Sequence, residues 1–438
     1  MDTVNATSVS AELVALATRA REASLVLQDT GHEVRVAALR AMARAIREQA
    51  GTILRENELD CETARKQGLG QSLYKRLALD GDKIEQMAIG LESVTGLPDP
   101  VGVLQEEIEL DQGLILDKVS CPLGVIAIVF ESRPDVVPQV IGLSVKSSNA
   151  VIFKGGSEAL HSNRVLFQIL EQAGIAAGLP DGFAGMVESR DDVKALLKLD
   201  DYIDLIIPRG SNALVRSIMD STRIPVLGHA DGICTMYVDK DADLQMAVRL
   251  VHDAKAQYPA VCNAIENLLV HRQVAGTVLP RILEDLRGAS VEIRGDSTVC
   301  ALLPDALPAD EADWDTEYND LILSVRVVES LDEATAFINA HGSGHSDAIV
   351  TGSDEAARRF VRRVDSSSVM VNASTRFADG YRYGKGAEIG ISTNKTHARG
   401  PVGLEGLVIY KYILRGSGQC VADYTGAHAR SYTHRRIL

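Results

Sequence analysis

A chain of 438 residues exceeds the roughly 250–300 residues at which a single hydrophobic core stops growing, so two or three domains are expected. Hydrophobic residues make up 46% and charged residues 24%, the balance of an ordinary soluble globular protein. Sixty acidic against 45 basic residues leave a formal charge of −15, which argues against non-specific adhesion to nucleic acid or an anionic membrane, so any anionic ligand must be caught by a local cluster of donors.

The N-terminal stretch MDTVNATSVSAELVALATRAREAS has neither a basic leader nor an apolar signal core, and no run approaches the roughly 20 apolar residues of a membrane helix. Up to about residue 100 the pattern is helical: in EVRVAALRAMARAIREQA, Val36, Leu39, Met42, Ala43 and Ile46 share one stripe. From Leu123 short apolar runs alternate with amphipathic helices: LGVIAIVF, a helix to about Ser148, NAVIFKGG, ALHSNRVLFQILEQAG, FAGMVES, DDVKALLKL, YIDLIIPRG, NALVRSIMD and RIPVLG. Such alternation predicts a parallel sheet covered on both faces, a doubly wound α/β domain. A second alternating block starts near Gly232 with ICTMYVD, DADLQMAVRLVHDAKAQ and NLLVH, and continues with LILSVRVV, SLDEATAFINAHG, DAIVTG and SSVMVNA. Ser330 and Glu333 have capping-box spacing, and Gly342 is expected to end that helix in a left-handed conformation. EIELDQGLILDKV and LVIYKYIL alternate like strands outside either core, as candidate ribbon or edge strands for pairing between subunits. The tail beyond about Ser417 carries no readable pattern.

Two loops follow apolar runs in the first domain: FKGGSEA, with Lys154, Gly155, Gly156 and Ser157, and PRGSNAL, with Gly210 and Ser211. Glycine there permits a tight strand-to-helix turn; it equally lets backbone N–H groups and a helix N-terminus approach phosphate. Two such loops on neighbouring strands favour a dinucleotide. No carboxylate follows Lys154 until Glu158, so nothing obvious repels a 2′-phosphate, which favours NADP(H) over NAD(H).

The six cysteines, Cys61, Cys121, Cys234, Cys262, Cys300 and Cys420, lack CxxC pairs and histidine partners at metal spacing, which implies free thiols, a reducing cytosol and no metal site. An unpaired cysteine is commonly a small buried hydrophobe. Cys262, in PAVCNAIENLLVH, stands out because Asn263 and Glu266 suggest a short helical turn starting at the sulfur, where the N-terminal dipole stabilises a thiolate. Lowering a thiol pKa from about 8.5 by two units, worth ~2.7 kcal/mol, ionises most of it at neutral pH.

Taken together, GVIAIVFESRPDV, NAVIFKGGSEA, IPRGSNALV, GHADGIC, YPAVCNAIENLLVH, EYNDLILSVRVV, INAHGSGHSDAIVTG and VNASTRFADGYRYGKGAEIGISTNKTHARGPVGLEGL resemble the gamma-glutamyl phosphate reductases of the aldehyde dehydrogenase superfamily, from about residue 100 to Gly416. The resemblance implies an aldehyde dehydrogenase-like α/β fold in three parts: an NADP(H)-binding domain from 1–108 and 122–231, a catalytic domain from 232–404, and an oligomerisation ribbon from 109–121 and 405–438. It makes Cys262 the nucleophile, sets Lys154, Gly210 and Ser211 against the cofactor's adenosine and diphosphate, and places Glu317 near its nicotinamide ribose; a solvated acid before a strand is the other account of Glu317. Aldehyde oxidisers of the superfamily carry a water-activating glutamate where this chain has VLGHADG, with no carboxylate until Asp231. That omission suits an enzyme that must not hydrolyse its thioester. Ser132 stands where relatives offer an oxyanion-binding asparagine, His229 is a proton-donor, phosphate-ligand or structural histidine, and Arg133 is a candidate for an anionic substrate group. Asn372, Ser374, Arg376 and His345 are polar enough to hold the substrate's amino and carboxylate groups, or are simply loop residues.

The implied reaction is NADPH-dependent reduction of L-glutamate 5-phosphate to the semialdehyde through a Cys262 thioester, in proline biosynthesis, by a cytoplasmic homo-oligomer with glutamate 5-kinase as a possible channelling partner. Two rivals remain at this point: a broad aldehyde oxidiser, which needs the missing carboxylate, and a nucleotide-binding scaffold, in which all six thiols would react alike.

Overall fold

The computed structural model describes residues 9–131, 133–228 and 231–438. The chain divides into two compact units, one running to Gly210 with Ser217–Leu227 and Val402–Leu438, the other formed by Ser211–Arg216 and Gly228–Pro401.

The first unit opens with α1 (Ala11–Asp29), α2 (His32–Glu48), α3 (Ala50–Lys66), α4 (Gln71–Leu77) and α5 (Gly81–Thr95). Side-chain caps start two of them: Ser10 accepts from the Leu13 N–H at 3.1 Å and Asp80 from the Lys83 N–H at 2.8 Å. The stripe on α2 is buried as its spacing predicts. A hairpin follows, β1 (Leu104–Asp111) and β2 (Leu114–Pro122). The parallel core then runs β3 (Val125–Phe130), α6 (Val136–Lys146), β4 (Ala150–Lys154), α7 (Leu160–Ala176), β5 (Ala184–Met186), α8 (Arg190–Leu196), β6 (Leu205–Arg209) and α9 (Asn212–Met219), the last beginning within the second unit. Every residue of β3 and β4 is buried, which is why both read as unbroken apolar runs. Strand order is β5-β4-β3-β6, so successive strands leave β3 in opposite directions and the crossovers reverse between β3 and β6. RIPVLG makes only an isolated bridge, Val226 to Ile206.

The second unit contains β7 (Cys234–Val238), α10 (Leu244–Ala256), β8 (Ile265–His271), α11 (Arg272–Gly288), β9 (Glu292–Gly295), α12 (Ser297–Leu302), β10 (Leu307–Pro308), β11 (Ile322–Val328), α13 (Leu331–His341), β12 (Ser346–Val350), α14 (Asp354–Arg363), β13 (Ser368–Val371), β14 (Gly390–Ser392) and β15 (Gly400–Val402), the last of which ends on the first residue of the returning segment. Its main sheet has the order β10-β9-β11-β8-β7-β12-β13 with parallel pairings. At the start of α13 only half of the expected capping box forms: Ser330 accepts from the Glu333 N–H at 3.2 Å, whereas the Glu333 carboxylate accepts from the Glu329 N–H at 2.8 Å. Gly342 is extended (φ −73°, ψ 153°) rather than left-handed. Glycine is needed there for space, because an added Cβ would lie 2.5 Å from the Ile338 carbonyl oxygen.

The chain ends back in the first unit with β16 (Val408–Arg415) and β17 (Arg435–Arg436), giving an antiparallel sheet of order β16-β2-β1-β17. The two segments expected to be ribbon strands are β1–β2 and β16. The tail without a readable pattern supplies the fourth strand.

Candidate active site

In a parallel sheet all strands begin at one edge, and in the second unit that edge collects the reactive groups. Just before or at the starts of β7, β8, β11, β12 and β13 lie Gly232 and Cys234, Cys262, Glu317 to Asp320, Ser343 to His345, and Ser366. Cys262 is half-buried. Its loop is stitched in place: the Ala264 N–H donates to the Val261 carbonyl at 2.9 Å, Asn263 Nδ2 to the Ala378 carbonyl at 3.0 Å, and Thr375 Oγ1 to the Asn263 carbonyl at 2.7 Å. Cys234, fully buried, donates its S–H to the Cys262 carbonyl at 3.1 Å.

Gly232 lets Cys262 and Glu317 come together. A Cβ added there would lie 2.5 Å from Cys262 Cα, 2.7 Å from Cys262 Cβ and 2.5 Å from Glu317 Oε1, so only glycine lets the three segments converge. Asn212 Nδ2 holds Glu317 Oε2 at 3.1 Å and Asp231 Oδ1 at 2.7 Å, and Arg216 bonds the other Asp231 oxygen. Both oxygens of the one carboxylate near the place of a water-activating glutamate are therefore engaged.

Two expectations for Cys262 are corrected. No helix begins at the sulfur; the chain makes one turn and enters β8, because Asn263 and Glu266 are buried partners of the fold rather than a solvated helical face. Without that dipole the thiol is not acidified. Burial pushes it up to about 12, Glu317 and Glu388 push the same way, and its own N–H and Arg376 pull weakly back.

Arg376 is buried, with Nε and Nη2 on Gln257 Oε1 at 3.1 and 3.0 Å. The other expected substrate ligands are engaged by the fold. Asn372, at φ +54°, clamps Thr351 through both amide atoms at 2.9 Å; Ser374 accepts from the Arg376 N–H at 3.3 Å. His345 is fully buried, its Nδ1 2.8 Å from Ser346 Oγ and 3.8 Å from Cys234 Sγ. Ser374 and His345 are buried, whereas Asn372 is exposed. Ser132 and His229 lie outside the described residues.

Of the cofactor candidates, Lys154, Gly155, Gly156, Ser157 and Gly210 belong to the first unit, at the carboxyl ends of its parallel strands, where ligands bind in open α/β sheets, whereas Ser211 and Glu317 belong to the second. Lys154, the last residue of β4, is buried, and burial pulls its ammonium below the ordinary lysine range. A Cβ at Gly155 would collide with the Asn163 amide, whose Nδ2 donates to the Gly156 carbonyl at 3.3 Å. Ser157 opens the 3₁₀ turn leading into α7. Gly210 and Ser211 follow β6 and are exposed. Arg133 is also exposed, with Nη2 2.8 Å from Asp135 Oδ2.

The profile of the aldehyde dehydrogenase family matches residues 3–302. Gamma-glutamyl phosphate reductase from Methanosarcina acetivorans is 52% identical over 429 residues, covering 96% of each chain. The chain belongs to the aldehyde dehydrogenase family, in its gamma-glutamyl phosphate reductase group. The relative of that name from a Cyanothece species is 51% identical over 435 residues, 99% of this chain and 100% of the relative. The crystal structure of gamma-glutamyl phosphate reductase from Thermotoga maritima matches with a TM-score of 0.92 at 40% identity, covering 93% of this chain and 99% of that one. An acetylating aldehyde dehydrogenase from Geobacillus thermoglucosidasius, at 17% identity and a TM-score of 0.64, shares the fold alone. Family membership makes this chain an oxidoreductase with the aldehyde dehydrogenase fold anticipated from its motifs, and the family uses nicotinamide cofactors.

Proposed function

We propose that the chain reduces L-glutamate 5-phosphate to L-glutamate 5-semialdehyde with NADPH, releasing phosphate, as the reductive step of proline biosynthesis. The observation that carries this is the convergence of Cys262 and Glu317 on Gly232 beside an Asp231 whose oxygens are held by Asn212 and Arg216. A nucleophile whose neighbouring carboxylates are engaged, Asp231 through both oxygens, Glu317 by Asn212 and Glu388 by the Gly380 N–H, suits acyl transfer from phosphate to sulfur and disfavours activation of water against the thioester.

NADPH is assigned on two features of the first unit: Lys154 supplies a partly desolvated cation, and Gly155, Gly156 and Gly210 follow β4 and β6, the strands on either side of β3. In this reading Lys154, Ser157 and Ser211 hold the phosphates and adenosine, and Glu317 accepts from the ribose hydroxyls. The bound cofactor supplies the hydride that reduces the thioester.

The residues' work begins at the thiol. At neutral pH Cys262 is protonated in the free enzyme, so its proton passes to a phosphate oxygen as the acyl phosphate is attacked and departs with it as hydrogen phosphate. Arg376 is the cation whose field favours the thiolate, and it serves the anionic substrate as well. The sulfur attacks the acyl carbon, the oxyanion falls to the Cys262 N–H and Ser132, and phosphate departs. After reduction the thiohemiacetal collapses, returning the sulfur and freeing the aldehyde. Arg133 is kept as a second contact for the substrate's anionic groups. The acyl phosphate is labile, which favours supply by glutamate 5-kinase to a cytoplasmic homo-oligomer.

The test is phosphate-dependent reduction of NADP⁺ by glutamate semialdehyde, compared between the parent and Cys262→Ser. Loss of activity by at least about 10³-fold is expected; activity surviving in the variant overturns the mechanism. A comparison with NAD⁺ tests the cofactor preference.

A further inference from the structure

Beneath the loop that carries Glu317 lies a pair of charges that the reaction itself does not use. Lys255 on α10 and Glu266 on β8 are buried to 0% and 1% exposure, with Lys255 Nζ 2.5 Å from Glu266 Oε2. Burying two charges costs several kcal/mol per ion before pairing offsets it, so such a pair is weak evidence for stability and calls for another role. The second carboxylate oxygen supplies one: Glu266 Oε1 accepts from the Asn319 backbone N–H at 3.4 Å. Asn319 is left-handed, φ +54°, two residues after Glu317. Between them, the Tyr318 ring lies 5.9 Å from the Lys255 ammonium and 5.1 Å from the Arg294 guanidinium, and its hydroxyl bonds Asp313 Oδ1 at 2.8 Å and Ser324 Oγ at 2.7 Å.

We infer that Glu266, held by Lys255, is a positioning residue that fixes the 317–320 loop, and thereby sets Glu317 relative to Cys262. One strand does both jobs. β8 starts three residues after Cys262, and Glu266 is its second residue, so the strand that locates the sulfur also moors the loop bearing the carboxylate. Glu317 is held from the other side by Asn212. A strained backbone residue beside a functional acid needs such over-determination to persist.

The inference rests in part on Glu317 engaging the cofactor, so the experiment reads the loop in two independent ways. K255M/E266M replaces the pair by residues of similar bulk without stranding a charge, but removes the acceptor for Asn319. K255M/E266Q also removes the ion pair, yet keeps an amide oxygen for that N–H. NADPH affinity is measured by fluorescence titration, and Cys262 alkylation by iodoacetamide with no cofactor present, E317Q serving as reference. Expected for K255M/E266M is an NADPH Kd raised by about tenfold and Cys262 alkylation faster by about threefold, as Glu317 swings away from the thiol; K255M/E266Q should stay within about twofold of the parent on both. If E317Q leaves NADPH affinity unchanged, the cofactor role of Glu317 falls while the alkylation arm still decides the mooring. If the two double variants match each other in alkylation, or K255M/E266M matches the parent, the mooring role is overturned. Should K255M/E266M not fold, E266D keeps the charge and withdraws the oxygen by one methylene; it must shift alkylation in the same direction, and no shift refutes the proposal.

Discussion

The Cys262 sulfur lies in opposing fields, and substitutions of the charged residues around it should separate them. Glu317 and Glu388 oppose the thiolate and Arg376 favours it. One pKa unit is a tenfold change in thiolate fraction well below the pKa. Glu317→Gln should therefore speed iodoacetamide labelling of Cys262 in the free enzyme, by about threefold to tenfold at pH 8, and Arg376→Gln should slow it. Equal rates in parent and both variants would contradict the electrostatic picture. Gly232→Ala carries a steric prediction. Two of the three atoms its Cβ would meet belong to Cys262, one of them backbone, which cannot swing aside like a side-chain terminus. A fall in kcat of about a hundredfold is expected; near-parental turnover would mean that the loops separate freely. Cys262 itself was legible in the chain, since it stands between a helix and an apolar run with polar neighbours. Its pKa was not, because the burial that chiefly raises it, and the carboxylates at positions 317 and 388 that add to the rise, exist only at the folded edge. The pairing of Lys255 with Glu266 was hidden for the same reason: on a helix and a strand separated by the Cys262 loop, no periodicity links them.

At the scale of elements, Asp347 ties three strands together at the same edge. It is fully buried at the start of β12, accepts from the Thr235 N–H of β7 at 2.7 Å and bonds the Ser366 hydroxyl ahead of β13. Burial pushes its carboxyl up to about 7. The folded state thus holds a proton that the unfolded chain releases at an ordinary aspartate pKa near 4, and stability must fall as pH rises between those values. Glu266, pushed up to about 7 by burial against the pull of Lys255, contributes with the same sign. In Asp347→Asn the side chain no longer titrates, and its oxygen can still accept from Thr235. Urea unfolding at pH 5 and pH 8 should show a loss of a few kcal/mol for the parent and a smaller loss for the variant. Identical losses would mean that Asp347 ionises in the folded protein as it does in water. The strands here read plainly from sequence because parallel strands buried on both faces are apolar throughout. α11 and α14 escaped: α11 carries an internal proline at Pro280, and the sequence of α14, DEAARRFVRR, buries only Phe360. The location of the site was not legible either, since it uses the beginnings of strands where ligands of open α/β sheets are expected at their ends.

For the whole molecule, the C-terminal tail bears on how the first unit is kept from open-ended pairing. β1 reads LQEEIELD, and a bare strand edge invites pairing with another chain. The tail covers it. The Thr433 N–H donates to the Leu110 carbonyl and the Ile437 N–H to the Glu107 carbonyl, both at 2.8 Å, while Arg435 pairs with Glu109 at 2.7 Å, Arg436 with Glu106 and Arg430 with Asp111. Tyr424 adds its hydroxyl to Asp111 at 2.9 Å and stacks on Tyr432, with ring centroids 4.4 Å apart. None of this follows from spacing within the tail, because its partners lie on β1, more than three hundred residues earlier. Removing residues 417–438 should leave kcat/KM within about twofold, since Cys262, Glu317 and Arg376 belong to the other unit. It should also expose an edge strand whose acids repel another copy of themselves. Repulsion between exposed charges is screened over about 10 Å at 0.1 M salt and about 3 Å at 1 M. The truncated chain is therefore expected to sediment as the parent does at low ionic strength and to form larger species as salt rises, whereas the parent, its edge already paired, should not respond. Sedimentation velocity across that salt range checks this, and an unchanged distribution for the truncated chain would show that β1 needs no cover.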